Sequence, residues 1–313
     1  MIERLKNRVF LAPMAGVADR AYREIAAEFG AGLVFTEMVS AKGLYYNDKK
    51  TEALLTAGDC SCPVSAQIFG HEPEIIAKVI SRVKNYGATF ADINAGCPTP
   101  KIVSNGDGAA LMKNPELFGE IVKSAVKNAG CEVSVKIRKG WNDESVNAVE
   151  IAKIAEKNGA AMITVHGRTV AQQYSGKADW DIIKKVVEGV NIPVVGNGDI
   201  FCADDAVRMI EKTGCAAVML GRGTLGNPWL IRDTVCALGG EKIPPPASFD
   251  EKISLALRHI GLIIKYKGEY VGVREARKHA MWYVKGVRGS SAVKNLLSKA
   301  QSFDEMKNIL TSL

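Results

Sequence analysis

Residues 133–166, VSVKIRKGWNDESVNAVEIAKIAEKNGAAMITVH, contain one complete structural unit. Val133, Val135 and Ile137 alternate with Ser134, Lys136 and Arg138, which is the period-two pattern of a strand. Ser145 to Asn158 carries apolar residues at helical spacing, and Ala161 to His166 alternates again, with Ile163 and Val165 set against Thr164 and His166. Strand, helix, strand in this order reads as a parallel βα unit.

The same unit recurs outward in both directions. Short apolar runs occur at Val9–Met14, Leu33–Met38, Val64–Phe69, Phe90–Asn94, Val133–Arg138, Ala161–His166, Pro193–Asn197 and Ala216–Leu220. Amphipathic segments such as Glu74–Tyr86 and Asp204–Lys212 lie between them. Eight strands with intervening helices favour a closed TIM (β/α)8 barrel, which takes about 250 residues. The chain has 313, leaving room for a small second unit. Gly239-Gly240 and Pro244-Pro245-Pro246 interrupt both helix and strand, so the boundary is expected there, with residues 1–240 forming the barrel and 241–313 a small all-helical domain. Within that domain Phe249–Tyr266, Val273–Val284 and Val293–Ser298 read as helices.

Charge is distributed unevenly between the two parts. Residues 1–240 hold 28 Lys+Arg against 27 Asp+Glu, and residues 241–313 hold 13 against 7, so the tail carries +6 of the net +7. On charge alone, a solvated lysine-rich surface and a polyanion-binding face both remain open. No apolar run reaches the roughly 20 residues of a membrane span, and Met1–Arg8 is polar, so a cytoplasmic protein with no membrane contact is expected. The seven cysteines are scattered and lack metal-site spacing, so free thiols are expected, with no metal.

A barrel strand turns its apolar face to the outer helices, so its alternate residues point inward. By this rule Ser65, Gln67, Asp92, Asn94, Ser134, Lys136, Arg138, Thr164 and His166 face the lumen. Gln67, Asn94, Lys136 and His166 sit near the C-terminal ends of their strands, where the active sites of this fold are built. A buried lysine without a partner is costly, which argues for a functional rim. Gly196-Asn197-Gly198-Asp199 and Gly221-Arg222-Gly223 follow the seventh and eighth strands, the usual phosphate site, and so imply a phosphorylated cofactor. Asn94-Ala95-Gly96-Cys97-Pro98-Thr99-Pro100-Lys101 sets a cysteine in a fixed loop at the mouth. An ordinary thiol, with a pKa of about 8.5, is mostly protonated at neutral pH and can donate a proton.

These residues resemble the tRNA-dihydrouridine synthase family from about Leu11 to Gly289. The resemblance rests on Ala12-Pro13-Met14-Ala15-Gly16-Val17, Gln67-Ile68-Phe69-Gly70, the Asn94–Lys101 stretch, Val135-Lys136-Ile137-Arg138, His166-Gly167-Arg168-Thr169, Gly176-Lys177-Ala178-Asp179-Trp180, Gly196-Asn197-Gly198-Asp199-Ile200 and Gly221-Arg222-Gly223, in order and at strand intervals. It implies FMN at the barrel mouth, with Pro13, Met14 and Ala15 under the ring, Gln67 at its polar edge and Lys136 near its N1/O2 side. His166, Asn197, Gly198, Asp199, Gly221 and Arg222 would hold the phosphate end.

The implied reaction reduces the C5–C6 double bond of uridine in tRNA, with NADPH (or NADH) as reductant, Cys97 as the acid at C5 and Asn94 as a partner for the base. The segment from Pro98 to Ala110 would close over that base. In the tail, Arg274, Arg277 and Lys278 would contact tRNA phosphates, while Trp282 and Tyr283 read as core of the helical unit. Two positions depart from the family pattern: Val170, where an arginine is frequent, and Gly106–Ala110, where a serine is common at the fourth place. The alternatives are a dihydroorotate dehydrogenase-like flavin barrel acting on a free pyrimidine, which has no need of the tail, and a non-catalytic RNA-binding relative that kept the fold.

Overall fold

The computed structural model describes residues 1–313. The strands are β1 (Val9–Leu11), β2 (Leu33–Phe35), β3 (Val39–Ser40), β4 (Val64–Phe69), β5 (Phe90–Ala95), β6 (Val133–Gly140), β7 (Met162–Thr169), β8 (Val194–Asn197) and β9 (Ala217–Leu220). All pair in parallel in the order β2-β1-β9-β8-β7-β6-β5-β4-β3, and β2 also pairs with β4. That pairing closes an eight-stranded barrel and leaves β3 as a two-residue flank on β4, too short to register in the sequence. β1 and β2 end before Met14 and Met38, where the sequence pattern had carried them; Pro13 has no N–H with which to extend the β1 ladder. β7 instead runs to Thr169, because the ladder with β6 resumes past an irregularity between Arg138 and Gly140.

Outside the barrel run α1 (Arg20–Glu28), α2 (Ala41–Tyr45), α3 (Lys49–Ala53), α4 (Pro73–Val79), α5 (Pro100–Val103), α6 (Pro115–Asn128), α7 (Ala148–Lys157), α8 (Trp180–Gly189), α9 (Ala203–Thr213) and α10 (Trp229–Gly239). The helical reading of Glu74–Tyr86 resolves into α4 followed by a 3-10 segment, Ile80–Tyr86. The largest core cluster lies between strands and helices, and holds Val64, Ala66, Ile68, Val133, Val135 and Ile137. A separate cluster with Phe10, Leu33, Phe35, Phe90 and Met162 fills the lower lumen, so the inward residues change from apolar to polar on ascending toward the mouth.

After residues 240–248, which form no helix or strand, come α11 (Phe249–Lys267), α12 (Glu269–Tyr283), α13 (Ser290–Lys299) and α14 (Phe303–Thr311). Ser248 and Glu251 cap α11 reciprocally. These helices share one core cluster with Ala21 and Ile25 of α1 and Trp229 of α10, so the tail is packed onto the barrel flank. Lys267 reaches the buried Asp19 at 3.0 Å, Tyr266 donates to Glu24 at 2.6 Å, and the Tyr22 ring stacks on His259 with centroids 5.3 Å apart. No helix is long and apolar enough to cross a membrane.

Candidate active site

A cavity of about 650 Å³ opens at the C-terminal mouth of the barrel. Its wall includes Pro13, Met14 and Ala15 after β1, Asn94 and Cys97 at the end of β5, Lys136 on β6, His166 on β7, Asn197 at the end of β8 with Gly198 and Asp199 after it, and Gly221–Gly223 after β9. Alternation along each strand aims these side chains inward, and the parallel register sets Lys136 beside Asn94 and His166 beside Asn197.

A chain of hydrogen bonds rises from the lumen to the cysteine. Ser134 and Gln67 both donate to the buried Asp92, Gln67 at 2.7 Å, and Asn94 Nδ2 donates to Gln67 Oε1 at 2.8 Å. Asn94 Oδ1 then accepts from the Gly96 N–H at 3.1 Å and the Cys97 N–H at 2.9 Å. Burial pushes the Asp92 carboxyl up to about 6, against the opposing pull of Ser134, Gln67 and Lys136. Gln67 is fully buried and lies off the cavity wall, under Asn94. Asn94 has both side-chain atoms engaged, and its Nδ2 also makes a long contact of 3.9 Å with the Met38 sulfur, the one weak bond a base could displace.

Cys97 is half-buried on the wall, with its thiol 3.3 Å from Thr99 Oγ1. Lys136 Nζ donates to Asn197 Oδ1 at 3.0 Å, and the amide of Asn197 is fixed in that sense by donating to the Met219 carbonyl at 2.8 Å. Burial, then the neighbouring Arg138, pull the Lys136 ammonium down to about 8, with Asp92 and Cys97 opposing. Arg138 is anchored by the carbonyls of Gly96 at 2.9 Å and of Thr169 and Gln173 at 2.8 Å each. His166 is buried, and burial followed by the fields of Lys136, Arg138, Arg168 and Arg222 holds it well below its ordinary value, so it is neutral. A Cβ on Gly198 would stand 2.8 Å from the His166 ring and from Ala178, and its φ of +118° suits glycine, so this turn admits no side chain.

Asp199 adopts the left-handed conformation, φ +55°, which aspartate tolerates. Its carboxylate accepts from Arg168 at 2.8 Å, from the Ala178 N–H at 2.7 Å and from Arg222 at 3.4 Å. Burial pushes that carboxyl up, and these donors outweigh it and hold it below the usual range. Asp199 therefore orients two arginines. Arg222 also lies between the exposed rings of Tyr174 and Phe201, 4.7 and 5.9 Å from their centroids.

The tail meets the mouth. A Cβ on Gly226 would fall 2.4 Å from the Trp282 carbonyl carbon, so the loop after β9 sits directly on α12, and Trp282 joins the cavity wall. This differs from the reading of Trp282 as core, while its neighbour Tyr283 is buried against His259. Adjacent helical positions point about 100° apart, so one residue can face the core and the next the cavity. Lys278 Nζ lies at Gly16, 2.9 Å from where a Cβ would stand. Arg274 is exposed and stacked on Tyr270, and Arg277 donates twice to the Ala300 carbonyl, at 2.9 and 2.7 Å, closing the C-terminus of α13. The sequence reading also missed Met38, Tyr174, Phe201 and Leu225 on the wall. Tyr174 and Phe201 carried a signal, as aromatic residues in βα loops beside glycine turns.

A closed parallel barrel with a cation-rich, glycine-cradled cavity at its C-terminal mouth is the frame of a (β/α)8-barrel enzyme. The family model described as Dihydrouridine synthase (Dus) matches residues 10–312, and the chain belongs to that family. It is 41% identical to a probable tRNA-dihydrouridine synthase of Rickettsia bellii (strain RML369-C), over 92% of this chain and 88% of the relative. It is 40% identical to tRNA-dihydrouridine synthase B of Pasteurella multocida (strain Pm70), over 91% and 86%. Among solved structures, an old yellow enzyme homologue from Zymomonas mobilis superposes with a TM-score of 0.56 at 16% identity, over 78% of this chain and 91% of that one, a likeness of fold alone.

Proposed function

We propose that this member of the dihydrouridine synthase family reduces uridine in tRNA to 5,6-dihydrouridine on FMN bound in the barrel-mouth cavity, with Cys97 as the acid at C5. Family membership makes the chain a tRNA-dihydrouridine synthase. The observation that carries the mechanistic reading is the presence of Cys97, Lys136 and the two glycine turns on the wall of one cavity.

The residues present fit a phosphorylated flavin. The volume is within the range of cofactor sites, and the donor set is cationic where an anionic group must be held: Lys136, Arg138 and Arg222 all line the wall. A Cβ on Gly221 would project toward Ala12 and Met14, at 3.7 and 3.9 Å, into space left for a ligand. Asn197, Gly198, Gly221 and Arg222 would hold the phosphate end, oriented by Asp199 and Arg168, with Lys136 beside the ring. When bound, FMN recharged by NADPH (or NADH) supplies the hydride that adds to C6 of the uracil ring.

The chain's own residues do the rest. Cys97 holds a proton on Sγ; as the π bond opens, the S–H bond breaks, C5–H forms, and the thiolate regains its proton from solvent. Asn94 fixes the Cys97 backbone, and Lys136 supplies positive charge that arrives already oriented by Asn197. A uridine in folded RNA must leave its stack to reach the cavity, and Trp282 on the wall and Lys278 at Gly16 bring the tail to the mouth it would enter. The family match runs through the tail, which a barrel acting on a free pyrimidine has no need of.

The purified protein is expected to be yellow, to bleach under NADPH, and to recover its colour when given tRNA lacking dihydrouridine, with dihydrouridine appearing in that tRNA. Recovery with a free pyrimidine and none with tRNA overturns the reading.

A further inference from the structure

The segment that carries Cys97 is tied down at its far end by one pair of side chains outside the cavity. Nδ1 of His71, in the loop after β4, lies 2.8 Å from Oδ1 of Asp107. Asp107 is 9% exposed, and His71 is the one side chain bonded to its carboxylate. A buried carboxylate deprived of its partner is strongly destabilised, so the pair resists separation. The His71 ring also lies over Gly106, 3.6 Å from the position of a Cβ there.

The residues after Asp107 touch the acid. Gly108 has a φ of +58°, and a Cβ on it would stand 3.0 Å from the Cys97 carbonyl oxygen and 3.2 Å from Cys97 Cβ. The Ala109 N–H donates to that same carbonyl at 3.1 Å. The Asp107 N–H bonds to the Ile102 carbonyl at 3.2 Å, folding the segment back on itself. Cys97 is thus pinned on both sides, its N–H by Asn94 and its carbonyl by Ala109. Asn94 belongs to the sheet. Ala109 lies in the 3-10 turn Gly108–Lys113, whose Leu111 and Met112 are fixed in the core, and two residues from Asp107, so His71 holds the end of the second pin that the core does not.

We propose that His71 and Asp107 are positioning residues for the reaction, a latch across the β4 and β5 loops that sets where the Cys97 thiol stands over the base. The inference rests on Cys97 being the acid, as proposed above. Neither residue lines the active-site cavity; both line a separate hollow of about 370 Å³ beside it. The latch therefore acts through the loop, on the half of the reaction that uses Cys97. Misplacing a reacting group by about 1 Å costs on the order of 10²-fold.

The test uses the full-length, FMN-loaded protein. Flavin content and reduction by NADPH are measured first, then reoxidation of the reduced flavin by tRNA in a single turnover. Cys97→Ala serves as a control, and iodoacetamide alkylation of Cys97, read by mass spectrometry, as a readout independent of activity. His71→Ala and Asp107→Ala are expected to slow reoxidation by tRNA by about 10- to 100-fold, to raise the alkylation rate at Cys97, and to leave flavin content and NADPH reduction at parent values. The double variant is expected to be no slower than either single one, the mark of a pair acting together. His71→Asn, whose amide N–H takes the place of Nδ1 toward Asp107, is expected to recover most of the rate. Unchanged reoxidation, multiplying losses in the double variant, or a parallel fall in flavin content overturns the latch. Full reoxidation in Cys97→Ala would instead overturn the acid on which the latch depends.

Discussion

At the barrel mouth, Lys136, Arg138 and Arg168 each meet fixed acceptors: an asparagine amide, three backbone carbonyls, and the Asp199 carboxylate. In the tail, three cations spaced within five residues of one helix go three ways: Arg274 to the surface, Arg277 onto the Ala300 carbonyl, and Lys278 to the barrel mouth at Gly16. The mouth is a site whose charges are oriented before any ligand arrives, the condition under which electrostatics contributes most to catalysis. The tail is a surface on which similar side chains divide between holding the fold and facing outward. Net charge does not distinguish these uses; partners do.

The contrast can be broken first at Lys136. Its replacement by Met removes an oriented cation from the cavity, and turnover on tRNA is expected to fall about 10²-fold while tRNA binding holds. Turnover near the parent rate would show that the preset charge is idle.

The seam between the two regions is sharpened by pH. Burial pulls His259 from its ordinary 6.5 down to about 4, and its Nε2 has no partner. Between those values the unfolded chain binds the proton and the folded chain does not, so stability falls as pH drops from 6.5 toward 4, by about 3 kcal/mol for this group. The buried His279, also held low, adds in the same direction, whereas Asp92, raised to about 6, favours the folded state as pH falls below 6. His259→Phe is expected to flatten the acid limb of a denaturant-stability profile measured against pH. An unchanged limb would mean that His259 is protonated in the fold.

Smaller effects separate the tail cations from one another. Arg277→Ala removes two charged hydrogen bonds and is expected to lower unfolding free energy by about 2 kcal/mol without changing the salt dependence of tRNA binding. Lys278→Ala is expected to do the reverse, lowering the slope of log K against log salt by about 1 with little loss of stability. Exchanged phenotypes would mean that the two side chains had been assigned the wrong tasks.

The barrel and its inward residues were legible because a strand's period of two leaves each side chain only two directions, and the apolar one is fixed by the outer helices. Lys136, Asn94 and His166 followed from that rule. Its limit is depth: Gln67 faces inward as expected and yet lies below the cavity, because alternation gives a direction without saying which layer meets the ligand. In the tail the rule is weaker, since a helix offers many directions and the docking partner decides among them. Trp282 is on the cavity wall only because Gly226 lets the loop after β9 approach its backbone, a contact 56 residues apart in the chain that no local pattern encodes. The α14 helix and the His71–Asp107 pair were invisible for related reasons, the one short and terminal, the other a long-range contact between two loops.

The role proposed for the thiol at the cavity wall is delivery of the proton to C5. It is tested most directly by reducing Cys97→Ala with NADPH and then adding tRNA lacking dihydrouridine. Flavin reduction is expected at the parent rate, followed by a flavin that stays bleached with little dihydrouridine formed; prompt return of the yellow colour with a full yield of dihydrouridine would rule that role out.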